Sequence, residues 1–315
     1  MAEKISNTSE KLLFKPGTLG EKLSQQTEYA RKTGALQSIA TDYHFIQQED
    51  IAFLVRTVAN LAKKEQAKQQ QKQKETNTGK YFDPFLPYET DLFVSDISPT
   101  HLCLLNKFNV VDHHLLIVTR AFEEQDKLLD LDDFVALWVC MREIEGLAFY
   151  NGGKIAGASQ RHKHLQLVPL SFVPDQDFLP IQPAINQVKF TNSLGIIPHF
   201  AFRHAIAKIK TTDRDNPVAA AQQMLDCYYC LLEAVGLSLD PEQTLQPGAY
   251  NLLVTRHWML LVPRFQEAFA SISINSLGFA GSMFVRDRAS LELLKELRPM
   301  TVLRGVSFKD ESSIP

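Results

Sequence analysis

Gly157-Ala158-Ser159-Gln160-Arg161-His162-Lys163-His164-Leu165-Gln166-Leu167-Val168-Pro169 is the stretch on which the reading of this chain turns. From His162 onward it alternates as a strand does. Side chains of an extended segment point to opposite faces in turn, so His162, His164 and Gln166 share one face and Lys163, Leu165 and Leu167 the other. Buried polar groups need partners, so a row of two imidazoles and an amide demands a use. Three uses are open. The row is the polar outer face of a half-exposed strand, or His162 and His164 bind zinc with His113, His114 or a cysteine as third ligand, or the row does nucleophilic chemistry at phosphorus. Gln166 is a poor zinc ligand. A neutral imidazole, with an ordinary pKa of ~6.5, is a competent nucleophile at neutral pH. Gln166 would then hold a phosphate oxygen without adding charge, and His162 or a backbone carbonyl would fix the tautomer of His164. Only this last use gives every member of the row a task.

The residues before the strand suit an anion. Asn151-Gly152-Gly153 and Gly157-Ala158-Ser159 are small, their backbone N–H groups can approach phosphate oxygens, and Ser159 and Gln160 add side-chain donors. Leu147–Tyr150 upstream reads as a strand running into this turn. Before it, Asp130 caps a helix along which Phe134, Trp138 and Met141 step at helical spacing. Leu102–Asn106 and Leu115–Thr119 read as strands, and Tyr81–Pro87 as a proline-punctuated loop. A helix over Leu19–Leu36 with Leu19, Leu23 and Tyr29 inward and strand over Phe45–Leu61 open the ordered chain. Residues 62–80, crowded with Lys and Gln and devoid of large apolar side chains, predict a mobile loop.

Downstream, Pro169, Pro174, Pro180 and Pro183 mark a boundary that divides the chain into residues 1–170 and 171–315. Asn216-Pro217 opens a helix running to Val235. Tyr250–Arg256 and Trp258–Arg264 form a hairpin turning near His257. The shared string of His114-Leu-Leu-Ile-Val-Thr-Arg120 and Asn251-Leu-Leu-Val-Thr-Arg256 predicts two related α+β units. His199–His204 reads as an apolar strand with Phe200 and Phe202 on one face, a base-stacking or active-site contribution from His199 or Phe202 being the lesser alternative, and Arg203, Lys208 and Lys210 on a solvated face. Cys227-Tyr-Tyr-Cys230 reads as core helix, and Cys103 and Cys140 as small buried hydrophobes.

Composition narrows the field. Of 315 residues, 45% are hydrophobic, enough for a substantial core, while 33 basic against 36 acidic residues leave a net charge of −3. That balance argues against general nucleic-acid or membrane-surface binding. Four cysteines are too few for a disulfide scaffold, no apolar run approaches the roughly 18 residues of a membrane span, and the start lacks a signal-peptide core. The expectation is a soluble, cytoplasmic protein.

His-x-His-x-Gln after Gly-Ala-Ser-Gln resembles the diadenosine tetraphosphate phosphorylase (ATP adenylyltransferase) family, in the transferase branch of the histidine triad superfamily. Asn106-Lys107-Phe108 before the Leu-Leu-Ile-Val-Thr-Arg strand, Phe149-Tyr150-Asn151, and Asn275-Ser276-Leu277-Gly278-Phe279-Ala280-Gly281 add to it, so the likeness runs from about Phe53 to Arg286. Galactose-1-phosphate uridylyltransferases share the Gln but place prolines where Lys163 and Leu165 stand, and the short hydrolases carry a third His at Gln166. The resemblance implies an α+β histidine-triad-like fold, two related units with an antiparallel sheet flanked by helices. The N-terminal unit would carry the catalytic strand, and the C-terminal one would be an ATP adenylyltransferase unit.

It also implies roles. His164 takes AMP from an α-phosphorus, His162 orients it and Gln166 binds the transferred phosphate. Lys64, Asn106, Lys107, Asn151, Gly157, Ala158, Ser159, Gln160, Asn275, Ser276 and Leu277 bind the nucleotide. Arg286 stands where the family has lysine, keeping the charge but presenting a fork. The implied reaction is reversible phosphorolysis of diadenosine tetraphosphate to ATP and ADP, with Mg²⁺ accompanying the nucleotide and no metal bound by the protein. The alternatives are a nucleotidyltransferase with sulfate or a sugar phosphate as acceptor, or a non-catalytic dinucleotide sensor.

Overall fold

The structure is a computed structural model that describes residues 12–58, 81–170, 179–210, 216–240 and 243–310. The predicted loop at 62–80 and Lys64 within it lie outside those residues, as does the expected domain boundary just past Leu170 in part. Helix α1 (Leu19–Thr33) is followed by the hairpin β1 (Thr41–Gln48) and β2 (Ile51–Val58), then by β3 (Phe93–Asp96), β4 (His101–Leu105) and β5 (Leu115–Thr119). Helix α2 (Leu131–Glu143) leads to β6 (Gly146–Gly152) and β7 (His164–Pro169). After the short α3 (Gln182–Ile185) come β8 (Leu194–Gly195), β9 (Ala205–Lys208), α4 (Pro217–Ala234), β10 (Tyr250–Val254) and β11 (Trp258–Pro263). The small strands β12 (Ala268–Phe269) and β13 (Ile272–Ser273), α5 (Ser276–Phe279), β14 (Ser282–Val285), α6 (Arg288–Leu297) and α7 (Pro299–Val306) complete the described chain.

Nine strands form one antiparallel sheet in the order β3-β4-β5-β7-β6-β10-β11-β9-β8. Its centre carries a repeat. The run β4-β5-α2-β6-β7 and the run β8-β9-α4-β10-β11 have the same order of elements and the same strand neighbours, joined through β6 and β10. Asn151 and Asn251 stand opposite each other at that junction, so Tyr150-Asn151 matches Tyr250-Asn251. The Leu-Leu…Val-Thr-Arg string does not mark the repeat. It falls on β5 and β10, whereas the counterpart of β10 is β6; the shared letters are those any buried strand favours.

The two faces of the sheet differ. One is covered by α1, α2 and α4, with Leu105, Ile117, Leu165, Leu167, Tyr150 and Leu252 in a continuous core. The other carries two separate apolar areas: Phe149, Val168, Leu253 and Val262 under β2, α5 and α7, and Leu102, Leu104, Leu116 and Val118 under Phe85. His164 and Gln166 lie on this second face, opposite Val118 and Leu116 of β5. The smaller sheet, β1-β2-β14, pairs β14 with β2 in parallel.

Local signals were reliable where chain geometry alone decides. Asp130 caps α2 through Asp133 N–H at 3.2 Å, and Asp133 returns a bond to Asp130 N–H at 2.8 Å. Asn216 caps α4 one-sidedly, accepting from Ala219 N–H at 3.1 Å. Helix α1 stops at Thr33, closed by left-handed Gly34 (φ 78). Its inward stripe is Leu19, Leu23, Thr27 and Ala30, so Tyr29, expected inward, is off the stripe and exposed. The Phe45–Leu61 strand turns back at Glu49, where φ is 53. Residues 199–204 form no strand. Phe200 and Phe202 are core, 4.7 Å apart, while His199 sits at the surface between Glu49 and Asp50, so neither serves as a base platform. Cys227 and Cys230 are on α4, Cys227 half-buried against the core and Cys230 exposed, because Tyr228 takes the inward position. Cys103 and Cys140 are buried as expected.

Candidate active site

The ladder between β6 and β7 ends at Phe149 opposite Gln166. Two residues further the same register would set Asn151 opposite His164, but the strands have parted there. The side chain of Gln125 fills the gap: its Oε1 accepts from His164 N–H at 2.9 Å, and its Nε2 donates to His164 C=O at 3.2 Å and Asn151 C=O at 3.0 Å. The segment around Gln125 also pairs with the chain just before β7. Lys163 N–H donates to Glu123 C=O and Gln125 N–H to Arg161 C=O.

His164 is therefore held by its backbone, and its ring is oriented separately. Nδ1–H donates to the His162 carbonyl at 2.8 Å. The remaining nitrogen, Nε2, carries a lone pair and has no partner among the described residues. Burial pushes the pKa of His164 down to about 4, with His162 adding to the lowering, and this outweighs the hydrogen bond and Asp83, which pull upward. The ring is neutral at neutral pH. Phe85 packs edge-on against it with centroids 5.4 Å apart.

His162 was expected to share the catalytic face, and its ring does lie on that side, packed against the same Phe85 as His164 with centroids 5.6 Å apart. Regular strand begins at His164, and His162 makes only an isolated bridge with Glu124, because the 123–125 segment takes the hydrogen bonds a sheet neighbour would take. Its ring is fully buried, with Nε2–H donating to Thr119 C=O at 2.7 Å and Nδ1 2.8 Å from Asp83 Oδ2. The carbonyl of His162, rather than its ring, fixes the tautomer of its neighbour. Both of its nitrogens are so engaged, and among the described residues no three or more His, Cys, Asp or Glu are grouped as metal ligands would be.

Gln166 is aimed by a relay. Asn106 Nδ2 donates to His114 Nδ1 at 3.3 Å, and His114 Nε2–H donates to Gln166 Oε1 at 2.9 Å. That fixes the amide, leaving Gln166 Nε2 as the donor on the open face. Asn106 thus acts behind His114, and Lys107 is paired with Glu89 at 2.5 Å.

A second network gathers the Asn151 side. Asn151 Oδ1 accepts from Ser276 N–H at 2.9 Å, from Ser276 Oγ at 2.8 Å and from Asn251 Nδ2 at 2.9 Å. Asn251 Oδ1 in turn accepts from Arg264, a buried guanidinium that also donates to the carbonyls of Ile274, Gln266, Glu267 and Val306. Gly157 lies against this network with φ 92; a Cβ there would come within 2.9 Å of Ile274 O and 3.0 Å of Asn275 Cβ. Only glycine allows the turn to sit so close. The N–H groups of Gly157 and Ala158 bond Lys154 and Gly153 carbonyls inside the turn, so they do not face an anion as expected. Ser159 is exposed, and its N–H and hydroxyl have no partner among the described residues.

The structure thus brings His164, Gln166, Asn151, Gly157, Ser276 and Asn275 into one neighbourhood. Ser276 and Leu277 are buried, the latter as core, and Asn275 caps α5 by accepting from Leu277 N–H. Arg286 is exposed just past β14, where the register places it beyond the Val285–Thr57 pair and toward residue 58. Gln125, Asp83, Asn251 and Arg264 were not singled out as site residues from sequence, and His114 only as a candidate zinc ligand. The Tyr-Asn repeat at 150–151 and 250–251 could have flagged Asn251; the others are joined only by the fold.

Two buried neutral histidines make a pH prediction. His204, like His164, donates Nδ1–H to the carbonyl two residues back, and burial lowers its pKa to about 4. Unfolded, each ring would have a pKa of ~6.5, so between ~6.5 and 4 the unfolded chain binds more protons. Stability should fall as pH drops through that window, by on the order of 3 kcal/mol per ring. Urea midpoints at pH 7 and pH 4.5 measure it, and equal midpoints would refute it.

A strand that presents a histidine lone pair and a fixed amide, beside a glycine turn and an asparagine network, defines a nucleotidyl-group transferase of the histidine triad type. Residues 9–187 match the family model of the Ap4A phosphorylase N-terminal domain, and residues 198–309 that of the ATP adenylyltransferase C-terminal domain. Diadenosine 5',5'''-P1,P4-tetraphosphate phosphorylase 2 of Saccharomyces cerevisiae is 30% identical over 244 residues, 68% of this chain and 72% of that protein. The crystal structure of yeast Ap4A phosphorylase Apa2 covers 94% of this chain and 99% of its own at 25% identity, with a TM-score of 0.73. The same yeast enzyme in complex with AMP covers 93% of this chain and 98% of its own, with a TM-score of 0.71 at 25% identity. The chain belongs to the Ap4A phosphorylase family and is a nucleotidyltransferase.

Proposed function

We propose that this chain cleaves diadenosine tetraphosphate with phosphate to give ATP and ADP, carrying AMP meanwhile on Nε2 of His164. The reaction comes with the family; the route through His164 rests on one observation, the uncommitted Nε2 lone pair of a ring whose Nδ1–H is locked on the His162 carbonyl. Nε2 attacks the α-phosphorus of one AMP unit, the N–P bond forms and the bridging P–O bond breaks, and ATP leaves. As the ring gains positive charge its Nδ1–H bond to the carbonyl strengthens, which is stabilisation specific to the reacting state. Gln166 Nε2 holds a nonbridging oxygen. Inorganic phosphate then attacks from the vacated side, breaking N–P and releasing ADP. The reverse sequence makes the tetraphosphate from ATP and ADP.

Mg²⁺ enters with the polyphosphate in this reading. The site's own carboxylate, Asp83, is held by His162 and no step is assigned to a protein-bound metal. We place the protein in the cytoplasm, where four free cysteines are at home; no described helix is long and apolar enough to cross a membrane.

The test is to incubate the protein with substrate labelled at the α-phosphorus and no acceptor. Label should remain on the protein in a linkage labile to acid and stable to alkali, as a phosphoramidate is, and leave as ADP when phosphate is added. Release by sulfate or a sugar phosphate in preference to phosphate would move the acceptor. Binding without any label would make the chain a sensor.

A further inference from the structure

We propose that Gln125 is a positioning residue that sets the spacing between His164 and Asn151, and so between the attacking nitrogen and the nucleotide. This rests on the reading of His164 as the nucleophile. Gln125 is 3% exposed, and every polar atom it has is engaged. Its N–H donates to Arg161 C=O at 2.6 Å, its C=O accepts from the Tyr150 hydroxyl, and its side-chain amide makes the three bonds to His164 and Asn151. The amide stands where backbone pairing between β6 and β7 would otherwise continue.

The consequence is geometric. Direct pairing would set His164 and Asn151 as close sheet neighbours, with Cα atoms about 4.5–5.5 Å apart. An amide inserted between the strands parts the two residues while still tying both backbones. Asn151 is itself fixed by Ser276 and Asn251, so Gln125 references the His164 backbone to the same network that holds Asn151. The requirement is one acceptor facing His164 N–H and two donors facing carbonyls. A neutral primary amide meets it. A carboxylate cannot donate, and a thioether offers nothing.

Two variants test this, Gln125→Glu and Gln125→Met, measured as single-turnover labelling of His164, with rates normalised to sites titrated by ADP so that any unfolded fraction drops out. Both should label about 10²-fold more slowly, the scale expected for a nucleophile displaced by about 1 Å, while ADP affinity changes less than ~3-fold. Gln125→Glu should also move the acid limb of the rate upward in pH, since a carboxylate against the His164 backbone favours the protonated ring. In the native chain the titratable groups facing that ring are His162 and Asp83. Gln125→Met should leave the limb in place. Labelling within ~3-fold of wild type in Gln125→Met, an unmoved limb in Gln125→Glu, or a loss of ADP affinity matching the loss of rate would overturn the proposal. Absence of label in the wild type would instead overturn the nucleophile assignment on which it rests.

Discussion

Replacing His164 with asparagine should lower turnover at least ~10⁴-fold while ADP affinity changes less than ~3-fold. The size of the effect follows from what surrounds the ring. Among the described residues no second nitrogen is placed to take over. His162 is buried with both ring nitrogens against protein acceptors, and His114 spends Nε2 on Gln166. Asparagine is close to histidine in size and can still donate toward the His162 carbonyl, so the backbone bonds of residue 164 to Gln125 should persist. What disappears is the lone pair. Binding should survive because the network of Asn151, Ser276 and Asn251, proposed to face the nucleotide, does not pass through the ring. Steady-state rates with calorimetric ADP binding make the measurement. A residual rate within ~10²-fold of wild type would mean that phosphate attacks the substrate directly, with no enzyme-bound intermediate.

Burial of the ring serves the same arrangement. A ring with a pKa of about 4 stays neutral well below physiological pH, so burial secures the nucleophilic form without a base to remove a proton. The cost is acid sensitivity of the fold, which begins below ~6.5 because the unfolded ring would take up the proton.

How much of this was written legibly in the chain depends on how far each signal reaches. Leu165 and Leu167 enter the core and His164 and Gln166 face the other way, as alternation alone dictates. Alternation continues back through Lys163 and His162, but the ladder does not: residues 123–125 take the sheet neighbour's place there, a pairing that spans about forty residues and has no local mark. Caps at Asp130 and Asn216 are local and were readable. Gly157 was recognisable as a turn glycine, yet its reason is contact with Ile274 and Asn275, more than a hundred residues away. Arg264 looked like the polar end of a hairpin strand, but five acceptors from four parts of the fold hold it inside. The family resemblance reached residues of the strand and of the glycine turn, and it did not reach Gln125, His114 and Arg264, which hold them in place.

Asp133→Leu should cost the fold about 3–5 kcal/mol, because it strands a buried cation. Lys163, between the two histidines, points to the opposite face of the sheet. Its Nζ meets Asp133, donates to Leu128 C=O at 3.1 Å, and lies 3.5 Å from Glu123 Oε2. Asp133 also accepts from His101, whose Nε2 is 3.1 Å away. Burial alone would raise the Asp133 carboxyl; Lys163 and then His101 outweigh it and hold the group well below the usual carboxylate range. Its contribution is therefore present above the unfolded pKa of ~3.9 and lost only as pH falls further, distinct from the histidine window. In Asp133→Leu the lysine keeps one carbonyl and two more distant carboxylates, Glu123 at 3.5 Å and Asp130 at 4.0 Å, and the melting temperature should fall by about 10 °C. Lys163→Met combined with Asp133→Leu should recover most of that loss, since two apolar groups bury without the desolvation that two charges suffer. Calorimetry on the single and double variants decides it. A double variant no more stable than Asp133→Leu would show that Lys163 and Asp133 are not coupled, and that the strand between the histidines is anchored by its backbone alone.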